Sequence, residues 1–200
     1  MRTYRTVSLN PLLFLIALNI IIFIAIRAAG PYPIITVQDA LDNPISKWLA
    51  LYSPDFLRQP WTILTSMFVH AEFWHIFGNM ISLFFLGRFL LQLVGENRFL
   101  AVYFLGGLVG SLLFVALAPY SLGIGASGAI FALGGALVMM APKLRVFIIP
   151  IPIPIPLWIA IIIFLLISFV PGIAWQAHLG GLLLGLGAGY YFKKRGYFYF

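Results

Sequence analysis

The sequence predicts an all-α polytopic membrane protein with six transmembrane helices, a short fourth helix and a membrane-associated first loop. Three observations predict it. The 200 residues are 62% hydrophobic and only 8% charged, with a mean hydropathy of +1.06. A water-soluble domain is nearer half apolar and a quarter charged, so lipid is the solvent this surface requires. Six apolar segments recur along the chain, and the basic residues fall between them with one consistent bias of side.

The segments run over 10–29, 74–94, 98–117, 127–141, 156–170 and 173–192, and residues 1–200 read as a single membrane domain. Crossing a hydrocarbon core of about 30 Å takes about 20 apolar residues, so the fourth and fifth segments are short. The first run, Pro11 to Ile26, is not followed by a small-residue cleavage site and reads as a retained span. Residues 31–69 form an external loop carrying Asp39, Asp42, Lys47, Asp55 and Arg58, with an amphipathic piece at Ile45–Leu51. It is too long for a simple connector. Trp48, Tyr52 and Trp61 are its expected interfacial anchors. Between the fourth and fifth segments, Ile149–Leu157 carries Pro150, Pro152, Pro154 and Pro156. Proline at every second position excludes helix and a full strand ladder, leaving a stiff extended connector.

Six spans put both termini on one side. Arg2, Arg5, Arg88, Arg98, Lys143, Arg145, Lys193, Lys194 and Arg195 share that side, against Arg27, Lys47 and Arg58 on the other. This nine-to-three bias predicts cytoplasmic termini in a cell membrane. The net charge of +7 is therefore a topology signal, and its placement argues against nucleic acid. The absence of cysteine excludes thiolate chemistry and disulfides.

Ionisable and polar groups at membrane depth are functional candidates by default. They are His70, His75, Asn79, Ser127 and His178. Ser127 precedes Lys143 by 16 residues and His178 precedes Lys193 by 15. At 1.5 Å per residue these are about 24 Å and about 22 Å, so the two side chains lie at nearly one height on different spans. Gly125 and Gly128 flank the serine, permitting a tight turn and close chain approach, and a serine in the first helical turn sits at the positive end of the helix dipole. The same Gly-Ala-Ser-Gly also serves ordinary helix packing and capping. Gly181, Gly185 and Gly189 make a smooth helix face beside His178. His75 and Asn79, four apart, share a face and can both donate. His70 lies about 140° round from His75 and reads as interfacial or structural. With no His-Glu-x-x-His pattern, no cysteine and no carboxylate near His178, no metal is expected, and no cofactor is implied.

From Trp61 to Gly189 the chain resembles the rhomboid proteases. The resemblance rests on Trp61-Thr62-Ile63-Leu64-Thr65-Ser66-Met67-Phe68-Val69-His70, then His75 and Asn79, then Gly125-Ala126-Ser127-Gly128, then Ala177-His178-Leu179-Gly180-Gly181 with Gly185. It implies a rhomboid-like six-helix bundle and an intramembrane serine endopeptidase with a Ser127–His178 dyad and no acid. Ser127 would attack the carbonyl, and His178 would carry the proton to the leaving amine. His75, Asn79 and the Ser127 N–H would form the oxyanion hole. The short fourth helix would leave a water-filled cavity open to the external side. Substrates would be single-pass transmembrane helices entering past the fifth span, with Val170–Trp175 as a cap and Pro171-Gly172 as its hinge. Gate residues are thus Val170, Pro171, Gly172 and Trp175; residues packing the histidines are Phe131, Gly125, Gly181 and Gly185. Two positions depart from the family. Thr62 stands where an arginine is common, and Phe131 stands where a tyrosine stacks on the histidine. The competing readings are a catalytically inactive rhomboid-like binder and a channel or transporter. Retention of both Ser127 and His178 argues against the first, and the lack of an inverted repeat against the second.

Overall fold

A computed structural model describes residues 8–148 and 153–197. Six longer helices form the bundle: α1 (Asn10–Ala29), α5 (Phe73–Val94), α6 (Glu96–Leu117), α7 (Ser127–Met140), α8 (Leu157–Ile167) and α9 (Trp175–Arg195). The loop after α1 holds three short helices, α2 (Val37–Asp42), α3 (Ser46–Leu49) and α4 (Thr62–Thr65). By length and apolarity, α1, α5 and α6 suffice to cross a membrane. The chain is a polytopic helical membrane protein.

The fifth segment is shorter than its apolar run predicts. Only 11 residues are helical, about 16 Å of rise, because turns take over at Ser168. The sixth helix starts two residues later than expected and runs on through Lys193, Lys194 and Arg195, cations that suit the negative end of its dipole. Of the proline connector, Ile155–Pro156 pairs with Arg145–Val146, a two-residue ladder and no more. Pro150 and Pro152, like Arg2 and Arg5, lie outside the described residues.

Helix α7 occupies the centre. Ala129, Ala132, Leu133, Ala136 and Leu137 are fully buried on its successive faces, as expected of a helix apolar all round. Its neighbour α9 meets it backbone to backbone. A Cβ at Gly181, Gly185 or Gly189 would strike the carbonyl of Gly128, Ala132 or Ala136 in turn. Three contacts at four-residue spacing lock the two helices in register. Gly106 of α6, which also packs on α9, leaves room for the Ala132 methyl.

The first loop is held by polar side chains bonded to carbonyls of the loop and of α1. Asn43 donates to Ile26 O (2.9 Å) and Pro31 O (3.2 Å). Ser46 donates to Ala40 O at 2.7 Å, Thr62 to Gln59 O at 2.6 Å and Thr65 to Leu49 O at 2.9 Å. Trp61 Nε1–H bonds Trp48 O at 2.8 Å, and both indoles are exposed. Thr62, where an arginine is common, is buried and bonded, so the loop is ordered without a cation there. Strand β1 (Leu51–Tyr52) then pairs with β2 (Leu122–Gly123), tying the loop to the segment that leads into α7.

Candidate active site

The chain approaches Ser127 through a turn that only glycine fits. Gly125 has φ +112°, and a Cβ there would lie 2.6 Å from His75 Nε2. Its N–H bonds Ser66 O at 2.9 Å, so the first loop fixes this turn. Gly125 therefore packs on His75 and not on the His178 ring. Two residues later Ser127 opens α7, half-buried, at the positive end of that helix.

His178 sits in the first turn of α9 and is buried. Its Nε2 lies 2.6 Å from Ser127 Oγ. The Phe131 ring stacks on the imidazole with centroids 4.5 Å apart and 18° between planes. Phe131 is four residues beyond Ser127, one turn along the same face of α7, so the helix that presents the serine also supports the histidine. The stack is an apolar contact, with no hydroxyl on that ring.

His75 and Asn79 lie on α5 as their spacing predicts. Glu72 caps that helix, accepting from the N–H groups of His75 and Trp74 at 2.8 Å each. Asn79 Nδ2 donates to His75 O at 2.8 Å. His75 Nδ1 accepts the Ala71 N–H at 3.3 Å. A nitrogen that accepts carries no proton, so the neutral ring bears its hydrogen on Nε2. That N–H faces the Gly125 turn beside Ser127. Of the two expectations for His70, interfacial or structural, its burial fits the second. It is fully buried, edge-on to His75 with centroids 5.0 Å apart.

Of the expected gate residues, Val170, Pro171 and Gly172 are exposed, and Gly172 has φ +90°. Trp175 stacks on Phe169 at 5.2 Å. Gly181 and Gly185 serve the α7–α9 contact. Among the described residues, no group of three His, Cys, Asp or Glu side chains could hold a metal ion.

Two participants escaped the sequence reading. Glu72 was not singled out, although an acid just before an apolar run suits the positive end of a helix. Ser168 lay unremarked at the end of an apolar run. Its Oγ is 2.6 Å from His178 Nδ1. A lone hydroxyl closing such a run was the available signal, but its partner lies ten residues on, across a turn.

A helical membrane bundle with a serine and a histidine from different helices in hydrogen-bond contact defines the class. The Rhomboid domain matches residues 57–195, and the chain belongs to the rhomboid family. Rhomboid-like protease 3 of Toxoplasma gondii is 31% identical over 150 residues, covering 72% of this chain and 57% of that protein. The mitochondrial rhomboid protein 1 of Saccharomyces cerevisiae is 29% identical over 166 residues, covering 72% and 45%. The inactive RHOMBOID-like protein 8 of Arabidopsis thaliana is 32% identical over 124 residues, covering 62% and 35%. The chain thus spans about a third to somewhat over half of the length of these curated relatives.

Proposed function

We propose that this protein is an intramembrane serine endopeptidase that cleaves single-pass transmembrane proteins through a Ser127–His178 dyad. The observation that carries the reading is the 2.6 Å contact between Ser127 Oγ and His178 Nε2, at the N-terminus of α7. His178 takes the hydroxyl proton as Ser127 attacks the peptide carbonyl, then returns it to the leaving amine. The tetrahedral oxyanion forms beside the Ser127 N–H, His75 Nε2–H and Asn79 Nδ2, donors fixed before substrate arrives. Such donors are each worth roughly 10²–10³ in rate. The α7 dipole adds positive potential at the same point.

The whole chain acts in this reading as one domain in the cell membrane, with cytoplasmic termini and the site opening externally. Substrate enters past α8, and Val170, Pro171, Gly172 and Trp175 cap the site, with the positive-φ Gly172 as hinge.

The test is labelling of purified protein with a serine-directed fluorophosphonate. Native protein labels, and Ser127→Ala and His178→Ala do not. Native labelling no stronger than Ser127→Ala refutes the nucleophile. The name of the inactive Arabidopsis relative motivates the second reading, a binder without chemistry, and retained capture of a transmembrane helix without labelling selects it.

A further inference from the structure

The hydrogen bonds around His178 do not end at the serine it faces. Ser168, the residue that closes α8, is buried at 2% exposure. Its Oγ makes two contacts of 2.6 Å, one to Phe164 O one turn back in α8 and one to His178 Nδ1. A serine hydroxyl carries one hydrogen and two acceptor lone pairs. A carbonyl oxygen only accepts, so the Ser168 hydrogen points to Phe164 O. Toward His178 the same oxygen is left to accept, and Nδ1 must supply the hydrogen. A neutral imidazole has one N–H. With that hydrogen on Nδ1, Nε2 is bare and accepts from the Ser127 hydroxyl 2.6 Å away.

The order of donors is therefore set from the far end: Ser127 O–H to His178 Nε2, His178 Nδ1–H to Ser168 Oγ, Ser168 O–H to Phe164 O. The opposite order puts the hydrogen on Nε2, where His178 cannot act as a base toward Ser127, and leaves Phe164 O without the Ser168 hydrogen. Among the described residues no carboxylate bonds His178; its polar side-chain partners are Ser127 and Ser168. Phe131 covers one ring face without any polar group.

We propose that Ser168 is the positioning residue of the site: its hydroxyl, held by the α8 backbone, fixes His178 in the Nδ1–H tautomer and in the plane that aims Nε2 at Ser127. The proposal rests on the serine-protease reading above and extends the dyad to a relay with a neutral third member. A hydroxyl orients the imidazole without a charge buried at membrane depth, where a carboxylate would be costly. It also makes the histidine of α9 depend on the seating of α8, which rests on α7 through Ile161 against Gly134. Displacing the end of α8 removes the acceptor from Nδ1.

The experiment has two arms. In the first, ¹⁵N-histidine spectra of intact protein in lipid, assigned against His178→Ala, read the tautomer of neutral His178. Native protein shows Nδ1–H, and Ser168→Ala shifts the population toward Nε2–H. In the second, cleavage of a transmembrane substrate is measured for native, Ser168→Ala and Ser168→Thr. Losing a neutral buried hydrogen bond lowers kcat roughly tenfold in Ser168→Ala, with KM changed less than about twofold. Ser168→Thr, which keeps the hydroxyl, recovers most of the loss. A native Nε2–H tautomer overturns the proposal, as does Ser168→Ala with native tautomer and native kcat. If native protein is Nδ1–H yet labels with fluorophosphonate no better than Ser127→Ala, the positioning role stands and the protease reading falls.

Discussion

Two glycines on one helix give a matched test of how the site is held. Gly181 and Gly187 both lie in α9, six residues apart, and Gly→Ala favours the helix at either by up to about 1 kcal/mol. At Gly187 the new methyl meets nothing within 4 Å, so only that gain applies. At Gly181 it strikes Gly128 O and lies 2.8 Å from Gly128 C and 3.3 Å from its Cα. These are backbone atoms in the first turn of α7 and cannot rotate away. Ordinary contact begins near 3.4 Å, so α9 must retreat by 0.6 Å from the carbonyl carbon alone and by more from the oxygen, roughly 1 Å in all. Such overpacking costs about 1–3 kcal/mol, which exceeds the propensity gain. The thermal midpoint in detergent falls for Gly181→Ala by several degrees, at roughly 2–4 °C per kcal/mol for a chain of this size, and rises slightly for Gly187→Ala. His178 is three residues from Gly181, so its 2.6 Å contact with Ser127 opens by a similar distance. A misplacement of about 1 Å costs roughly 10²-fold in rate. The assay is cleavage of a transmembrane substrate in liposomes, paired with the melting curve. If Gly181→Ala melts and cleaves like Gly187→Ala, the backbone contact does not set the geometry of the dyad and the reasoning is wrong.

Asn79→Ala removes one oxyanion donor and lowers turnover by roughly 10²-fold, while the melting midpoint falls by no more than the single bond to His75 O explains, about 1 kcal/mol; unchanged activity excludes Asn79 from the oxyanion hole. Asp39, the third residue of α2 in the first loop, completes a capping box with Thr36, whose backbone N–H and hydroxyl hold its carboxyl below the usual value of 3.8. A depressed carboxylate stabilises the folded loop above its unfolded pKa, near 3.9, and that contribution disappears as pH falls through the still lower folded value. Protection from hydrogen exchange at residues 36–42, taken relative to the intrinsic rate at each pH, is therefore kept at neutral pH and falls below about pH 4, and Asp39→Asn removes this pH dependence; a protection profile unchanged in Asp39→Asn refutes the capping role.

Much of the site was legible because helical periodicity and membrane depth are one-dimensional quantities. Counting from Lys143 and Lys193 placed Ser127 and His178 at one height, and the contact between them agrees with that count. The resemblance to the family put Phe131 under His178, and the four-residue spacing of His75 and Asn79 put them on one face of α5. The Gly181, Gly185 and Gly189 stripe announced a close helix contact, which α9 makes with α7. Spacing shows that a tight turn precedes Ser127, but not that a ring from α5 fills the space beside it.

The sequence by itself determined the solvent of this protein, its helices, and the matching heights of Ser127 and His178 along their helices, because composition and period act locally along the chain. The tertiary structure decided what long-range contacts alone can decide. It buried His70, bound the first loop to the approach of Ser127 through Leu51–Gly123 and Ser66–Gly125, and brought Ser168 to the far nitrogen of His178. The reason is physical. A hydrogen bond between two helices depends on where each ends and how close their backbones come, and a single serine at the end of α8 carries no periodic mark of the histidine it meets.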